Sequence, residues 1–361
     1  MSIQPTPHAG DEQAIALLTD LVSTASPSRQ EQAAVHCCVE WMRALGLSAS
    51  VDASGSAVGV LGEGPRQIVL LGHIDTAPGN VPVRRDGDTL YGRGAVDAKG
   101  PLAAFVVAAG RLRVLPETQL VVIGAVEEEC ATSTGARHAL TQYRPDACII
   151  GEPSGWDRVT LGYKGRLLLD YTLQRPMTHS AGQERGACEQ AVDYWLQVAR
   201  WAEQFNVGRQ GTFATVDPSL RDVRSSSDGL TERVEMTIGL RLPPGLDSST
   251  LEAALSSLAS GQASVSLRGY EPSFRADKRS PLVSAFLASI RAAGAKPGLV
   301  TKTGTSDMNV VGPIWGCPIV AYGPGDSSLD HTPNEHISLT EYLASIEVLR
   351  AVLTRLANTL A

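Results

Sequence analysis

No polybasic run interrupts this chain, and acidic residues outnumber basic ones 38 to 31, for a formal net charge of −7. Such a balance suits neither nucleic acid nor an anionic membrane, so neither is expected as a partner. Long apolar stretches are missing too. The longest charge-free apolar run, Pro101 to Gly110, is far too short to span a bilayer. The six cysteines, Cys37, Cys38, Cys130, Cys148, Cys188 and Cys317, form no Cys-x-x-Cys pair, and a chain of 361 residues needs no disulfide framework. Met1 to Gly10 carries neither the basic nor the apolar block of a secretory signal. These absences lead to the expectation of a reduced, cytoplasmic protein. What is present is a globular composition, 43% hydrophobic and 19% charged, at a length that suits two domains.

Local patterns divide the chain. Ser28 to Gly46 reads as a helix, with Ser28 and Glu31 in a capping-box pattern and Gly46 as the stop. Gln67–Leu71, Gln119–Val126 and Ala147–Ile150 are short apolar runs that read as buried strands, and Pro101 sits in the first turn of a helix. The pattern then changes. Arg166–Leu173 and Arg233–Leu242 alternate like half-exposed strands, with a helical stretch from Gly186 to Phe205 between them. Leu251–Leu258 reads as helix and Ala263–Leu267 as strand. From Pro281 the α/β character returns, with a strand at Pro318–Tyr322 and a closing amphipathic helix capped by Ser338 and Glu341. The expected architecture is α/β: a discontinuous catalytic domain, residues 1–163 and 278–361, whose mixed sheet is flanked by helices. Residues 164–277 form an inserted, smaller α+β domain.

The polar residues at the strand ends carry the chemistry. His73, Asp75, Glu128, Glu129, Glu152 and His331 each follow a predicted buried strand within a few residues, at the sheet edge where open α/β folds bind ligands. Histidines and carboxylates gathered there make a donor set for zinc or a similar divalent ion. Each residue also has an ordinary reading. A lone histidine after a strand serves as a solvated loop residue, and Asp97, in the glycine-dense run Gly92–Gly100, as a turn residue or helix cap. The His73-Ile74-Asp75 spacing favours the metal reading, because a carboxylate two residues on holds the imidazole in one tautomer. Glu127-Glu128-Glu129 directly follows the apolar run Val121–Val126, and anions forced to a buried edge repel unless a cation neutralises them. Two metals about 3.5–4 Å apart sharing one carboxylate polarise a carbonyl and acidify water, and an adjacent carboxylate then acts as base.

Five motifs in order carry a family resemblance: Gly72-His73-Ile74-Asp75-Thr76, Gly92-Arg93-Gly94 through Asp97-Ala98-Lys99-Gly100, Glu128-Glu129, Gly151-Glu152-Pro153 and His331-Thr332-Pro333-Asn334-Glu335. They resemble the motifs of the zinc aminoacylase and carboxypeptidase superfamily, which includes acetylornithine deacetylase and succinyl-diaminopimelate desuccinylase. Within it, His73–Gly79, Gly94–Pro101 and Ser225–Leu230 most resemble the hydrolases of carrier-protein-dependent lysine biosynthesis. The resemblance implies two zinc ions per chain, with cobalt as a substitute. His73, Asp97 and Glu152 would bind one ion; Asp97, Glu129 and His331 the other. It also implies that Asp75 orients His73 and that Glu128 is the general base, with Glu127 outside the site. His179, in Pro176–Gly182, matches a histidine that reaches from the partner subunit of a homodimer toward the oxyanion; its plain alternative is an exposed loop residue.

An amino-acid amide carries a carboxylate, and arginine is the side chain best shaped to receive it. Arg224, Arg241 and Arg275 are the candidates, beside the ordinary role of surface arginines, and Thr305 lies in a turn that resembles the family's substrate-proximal one or serves as a helix cap. The implied substrate is lysine or ornithine, joined through its α-amino group to the side chain of the terminal glutamate of an amino-group carrier protein. A deacylase, a desuccinylase or a dipeptidase acting on a small N-acyl amino acid would use the same metals and base. Arg84, Arg85 and Arg93 lie near the metal loops and are expected to offer positive charge at the cleft mouth.

Overall fold

The computed structural model describes residues 10–112, 117–179 and 184–359. These divide into two compact units. The described parts of Met1–Gly162, Arg275–Val300 and Ser306–Ala361 make the first, and Tyr163–Phe274 with Thr301–Thr305 the second.

From the N-terminus the elements are α1 (Asp11–Ser23), α2 (Gln32–Ala44), β1 (Ser48–Val51), β2 (Ala57–Leu61), β3 (Arg66–His73), β4 (Arg84–Asp86) and β5 (Thr89–Tyr91). Next come α3 (Lys99–Gly110), β6 (Thr118–Ala125), α4 (Thr134–Gln142), β7 (Ala147–Gly151) and β8 (Arg158–Tyr163). Then follow β9 (Gly165–Pro176), α5 (Ala187–Asn206), β10 (Asp217–Ser227), β11 (Thr231–Leu242), α6 (Ser248–Ser256) and β12 (Ser264–Glu271). The rest is β13 (Phe274–Arg275), α7 (Pro281–Ala292), β14 (Gly298–Lys302), α8 (Asp307–Trp315), β15 (Ile319–Ala321), β16 (His336–Ser338) and α9 (Leu339–Thr359).

The large sheet is mixed, ordered β1-β2-β6-β3-β7-β15-β8-β13 with β14 on β8. Its centre, β6-β3-β7-β15, is parallel. Parallel strands are covered on both faces, which explains why Ile68–Leu71, Leu120–Ile123 and Ala147–Ile150 are continuous buried apolar runs. Helix α3 is buried all round from Lys99 to Ala109, because the sheet lies on one side and α1 and α9 on the other. A level row of glycines lets α3 come close. Gly72 is paired with Gly124 on one side and Gly151 on the other, and a Cβ at Gly151 would sit 2.9 Å from both Gly72 Cα and Phe105 Cε2. Among the described residues no helix is long and apolar enough to cross a membrane.

The second unit holds an antiparallel sheet, β10-β11-β9-β12. Leu167, Leu169, Tyr171 and Leu173 alternate inward from β9, and Val234, Met236, Ile238 and Leu240 from β11, onto Ala191, Tyr194 and Val198 of α5. Strand β10 is an edge, and from Ser219 to Ser227 every residue is exposed.

One local expectation fails instructively. Helix α2 begins at Gln32, and its N-cap Glu31 makes no side-chain capping bond. The Ser28 hydroxyl donates instead to Asp75 Oδ2 at 2.8 Å, while Glu31 Oε1 accepts the backbone N–H groups of Arg29 and Glu127. Both side chains of the expected box are taken by long-range partners. At α9 the cap does form, with Glu341 N donating to Ser338 Oγ at 3.2 Å.

Candidate metal centre

Strand register explains why distant residues meet. His73, the last residue of β3, lies opposite Ala125 at the end of β6, and Gly72 lies opposite Gly151 at the end of β7. The residues just beyond, Glu128 and Glu129 after β6 and Glu152 after β7, therefore leave the sheet at one level, the carboxyl edge of parallel strands. Asp97 arrives from the turn before α3, and His331 from the loop before β16.

His73 is 1% exposed and Asp75 fully buried. The imidazole Nδ1 bonds the backbone carbonyl of Asp75 at 3.0 Å, with Asp75 Oδ1 at 3.5 Å. That leaves Nε2 3.2 Å from Asp97 Oδ1 and 3.9 Å from Glu152 Oε1. The other Asp97 oxygen, Oδ2, is 2.9 Å from His331 Nε2, which is 2.8 Å from Glu129 Oε1. Two donor groups result among the described residues, His73–Asp97–Glu152 and Asp97–Glu129–His331, each with its ligand atoms within 4.8 Å of one another. Asp97 belongs to both, and each group offers one imidazole nitrogen and two carboxylates. Such sets fit divalent ions that accept mixed nitrogen and oxygen ligands.

The electrostatics show what a cation would relieve. Burial pushes the Glu152 carboxyl well above the usual carboxylate range, and the charge of Asp97 pushes it further. Glu128, half-buried, is raised well above it too, first by burial and then by Glu152, Asp307 and Glu129 against the pull of His73. Burial also opposes ionisation of Asp97, but His331 and His73 overcome it and hold this carboxyl low. Hydrogen bonds to Asp97 and Glu129 lift His331 to about 10. Burial works against the His73 imidazolium, and Asp75 and Asp97 outweigh it, raising its pKa well above the ordinary value. Buried carboxyls and imidazoles are thus gathered where each favours positive charge beside it.

Asp75 does more than face a histidine. Its Oδ1 accepts the backbone N–H of Glu128 and its Oδ2 that of Glu129, both at 3.0 Å. The turn carrying both glutamates is therefore tied to the strand carrying His73. Glu127 is spent elsewhere: at φ 61° it accepts hydroxyl bonds from Thr132 and Thr134. His331 is also left-handed, at φ 60°, which is uncommon for residues with a side chain and is found where a site demands a particular orientation. Cys130 is half-buried and in neither donor group.

The remaining candidates lie apart from these groups in the chain. His179 is exposed, just after β9, and Ser180–Gly182 of its motif fall outside the described residues. Arg224, on β10, pairs with Asp222 at 2.8 Å, and Arg241 Nη1 donates to Thr305 Oγ1 at 2.6 Å. These residues belong to the second unit, Arg275 to the first. Arg93 departs from its expected place at a cleft mouth. Its side chain is 13% exposed and paired with the fully buried Glu335 at 2.7 Å. Arg84 lies over the Tyr91 ring, 3.5 Å from its centroid. Sequence reasoning missed the roles of Ser28, Glu31 and Lys99. The buried Lys99 ammonium donates to the carbonyls of Leu21 and Thr24 at the end of α1, and burial lowers its pKa to about 8.

Residues 69–355 match the model of the family described as Peptidase family M20/M25/M40. This chain belongs to that family. It is an M20 hydrolase, and its relatives agree in full-length coverage. It is 45% identical to the "[LysW]-lysine hydrolase" of Deinococcus radiodurans, over 98% of this chain and 99% of that one. With the "Putative [LysW]-lysine/[LysW]-ornithine hydrolase" of Pyrococcus abyssi it shares 40% identity over 96% and 94% of the two chains. Among solved structures, the M20 family metallo-carboxypeptidase Sso-CP2 of Sulfolobus solfataricus superposes with a TM-score of 0.80 at 18% identity, covering 96% of this chain and 99% of the other. The Bacillus subtilis YXEP protein, described as a dinuclear metal binding peptidase, does so at 0.72 and 14% identity, over 97% and 99%. These likenesses establish the M20 fold, a mixed sheet flanked by helices.

Proposed function

We propose that this M20 hydrolase cleaves the amide joining lysine or ornithine to the side chain of a carrier protein's terminal glutamate, releasing the free amino acid. The observation that carries this reading is the 45% identity, end to end, with a relative named for that reaction. Zinc is the proposed metal, two ions per chain, one on His73, Asp97 and Glu152 and one on Asp97, Glu129 and His331; the donor atoms of each group lie within 4.8 Å. Bound there, two divalent ions supply Lewis acidity to the scissile carbonyl and lower the pKa of water.

The protein's own groups do the rest. Asp75 holds the turn that carries Glu128 and Glu129. Glu128 takes a proton from the attacking water and hands it to the departing α-nitrogen, a role that a carboxyl raised by burial and neighbouring anions suits. The substrate's α-carboxylate is assigned to an arginine among Arg224, Arg241 and Arg275, with Thr305 beside Arg241. His179 of the partner subunit is assigned to the oxyanion.

That last assignment requires a homodimer in which residues 164–277 serve as the dimerisation and lid domain of a cytoplasmic enzyme. Support comes from β10, a long exposed edge strand that bears Leu220 and Val223, 42% and 51% exposed, with Val192 and Leu196 of α5 also exposed. An unpaired edge with apolar side chains is a template for a second chain.

The test is a side-by-side assay on carrier-linked lysine, carrier-linked ornithine, acetylornithine and succinyl-diaminopimelate. A carrier-linked substrate is expected to exceed the small N-acyl amino acids in kcat/KM by about 100-fold or more, about 2.7 kcal/mol at the transition state. Equal or reversed preference sinks the carrier assignment and leaves a deacylase or desuccinylase.

A further inference from the structure

His73 and Glu152 sit at the ends of paired strands, so the sheet itself holds them. Asp97 and His331 do not. They come from a turn and a loop, and the structure joins those segments through one buried ion pair. Glu335 is fully buried, and its Oε2 receives Arg93 Nη1 at 2.7 Å. Its Oε1 accepts the backbone N–H groups of Val96 at 3.0 Å and Asp97 at 3.2 Å. Its own carbonyl accepts the N–H of Gly92 at 3.2 Å. From the other side, Arg93 Nη1 donates to the carbonyl of Thr332, next to His331, and Arg93 Nε to that of Gly79, both at 3.3 Å. Two side chains thereby bind together the segment after His73, the turn bearing Asp97 and the loop bearing His331.

A buried ion pair that merely stabilises is replaceable, and its net contribution to folding is small or negative. This one spends its remaining donors and acceptors on main-chain groups beside two proposed ligands. Arginine is the residue that can do this, since its planar fork reaches a carboxylate and two carbonyls at once while a lysine offers a single point charge.

We infer that Arg93 and Glu335 are positioning residues for the metal centre, setting where Asp97 and His331 stand relative to the strand-held ligands. The inference rests on the two-metal reading above. The ion on Asp97, Glu129 and His331 depends on the clasp for two of its three ligands, whereas the ion on His73, Asp97 and Glu152 depends on it for one. Loosening the clasp therefore weakens the former ion more.

The experiment titrates the chelated full-length protein with Co2+, following ligand-field absorption and calorimetry, for wild type, Glu335→Gln and Arg93→Lys. Wild type is expected to take two ions per chain; fewer than two overturns the two-metal reading and, with it, the clasp. Given two in wild type, Glu335→Gln is expected to weaken one ion by about 10- to 100-fold, the usual effect of removing a group that orients metal ligands, and to leave the other within about threefold. Arg93→Lys keeps a charge beside Glu335 but loses the bridge to Gly79 and Thr332, so the same ion weakens by a smaller factor. Two unchanged dissociation constants in both variants refute the inference, and so does equal weakening of both ions, which is what general loosening would give. Should Glu335→Gln fail to fold by circular dichroism, Arg93→Lys decides between these outcomes.

Discussion

On the proposed mechanism, replacing Glu128 by glutamine isolates the transfer of one proton. The amide has the size of the carboxylate, and the backbone N–H of residue 128 stays on Asp75 Oδ1, as that of Glu129 stays on Oδ2, so nothing in the substitution moves the neighbouring ligand. What disappears is the capacity to accept a proton from water and return it to the leaving nitrogen. A positioned acid–base group contributes ~10²–10⁴-fold to rate, which at 1.36 kcal/mol per decade is about 2.7–5.4 kcal/mol of barrier. The upper half of that range is expected, because one carboxyl serves both steps, and Glu129 and Glu152 beside it are committed to the donor groups. The assay measures initial rates on carrier-linked lysine with bound metal counted on the same sample. The expected result is kcat lower by about 10³–10⁴ with two ions retained and KM changed by less than about threefold. A second consequence is independent of turnover. Burial and neighbouring anions raise the Glu128 carboxyl well above its usual value, so its charged form is unfavourable in the folded protein at neutral pH. The chelated Glu128→Gln protein should then melt higher than chelated wild type. Activity within about tenfold of wild type with both ions bound would refute the base assignment; a lost ion would show that Glu128 holds metal rather than protons.

Proton release on metal binding tests the histidines. With His331 raised to about 10 by Asp97 and Glu129, the stability its proton brings is present in full below about 6.5 and is lost only as pH rises through about 10. Metal uptake at pH 8 must therefore expel at least about one proton per chain, where a histidine of ordinary pKa would release almost none; calorimetry in buffers of different ionisation heat counts it, and a count near zero contradicts the site. Gly151→Ala probes the sheet register, because the new Cβ would lie 2.9 Å from Gly72 Cα and Phe105 Cε2. Overpacking of this kind costs about 1–3 kcal/mol, so the melting temperature should fall by several degrees, and an unchanged value is incompatible with the packing described. Val223→Glu places charge on the exposed β10 edge and is expected to turn a dimer into a monomer by light scattering; a wild type that is already monomeric at micromolar concentration removes the dimer reading.

Much of the centre was legible because a parallel sheet turns sequence order into spatial level. Apolar runs such as Gln67–Leu71 and Ala147–Ile150 announce strands buried on both faces, and the donors fall just after them. Once β6, β3 and β7 pair in register, those donors share one edge. What stayed hidden depends on partners far away in the chain. Ser28 looked like half of a capping box, yet it bonds Asp75, 47 residues on, and Glu31 turns to Glu127. The capping pattern is local chemistry, and a buried carboxylate elsewhere outbids it. Asp75 was assigned to the imidazole two residues before it, the pairing visible in sequence; its hydrogen bonds to the Glu128 and Glu129 amides lie 53 and 54 residues away and leave no periodic trace.

The same contrast separates two kinds of proposed ligand. A donor at the end of a paired strand inherits its position from the strand's backbone pairing on both sides, so sequence pattern suffices to find it. A donor on a loop must be held by side chains, and the cost of holding it is visible as buried charge: Glu335 with no exposure, Arg93 turned inward, Lys99 donating to the carbonyls at the end of α1. These groups would be poor choices for stability alone, since burying an ion pair returns little. They fall where the chain before α3 and before β16 lacks sheet support and must still present Asp97 and His331 within 3 Å of each other. Buried charge beside an unsupported loop therefore marks the proposed ligands that local pattern cannot secure, and mutations there should disturb metal affinity before they disturb the fold.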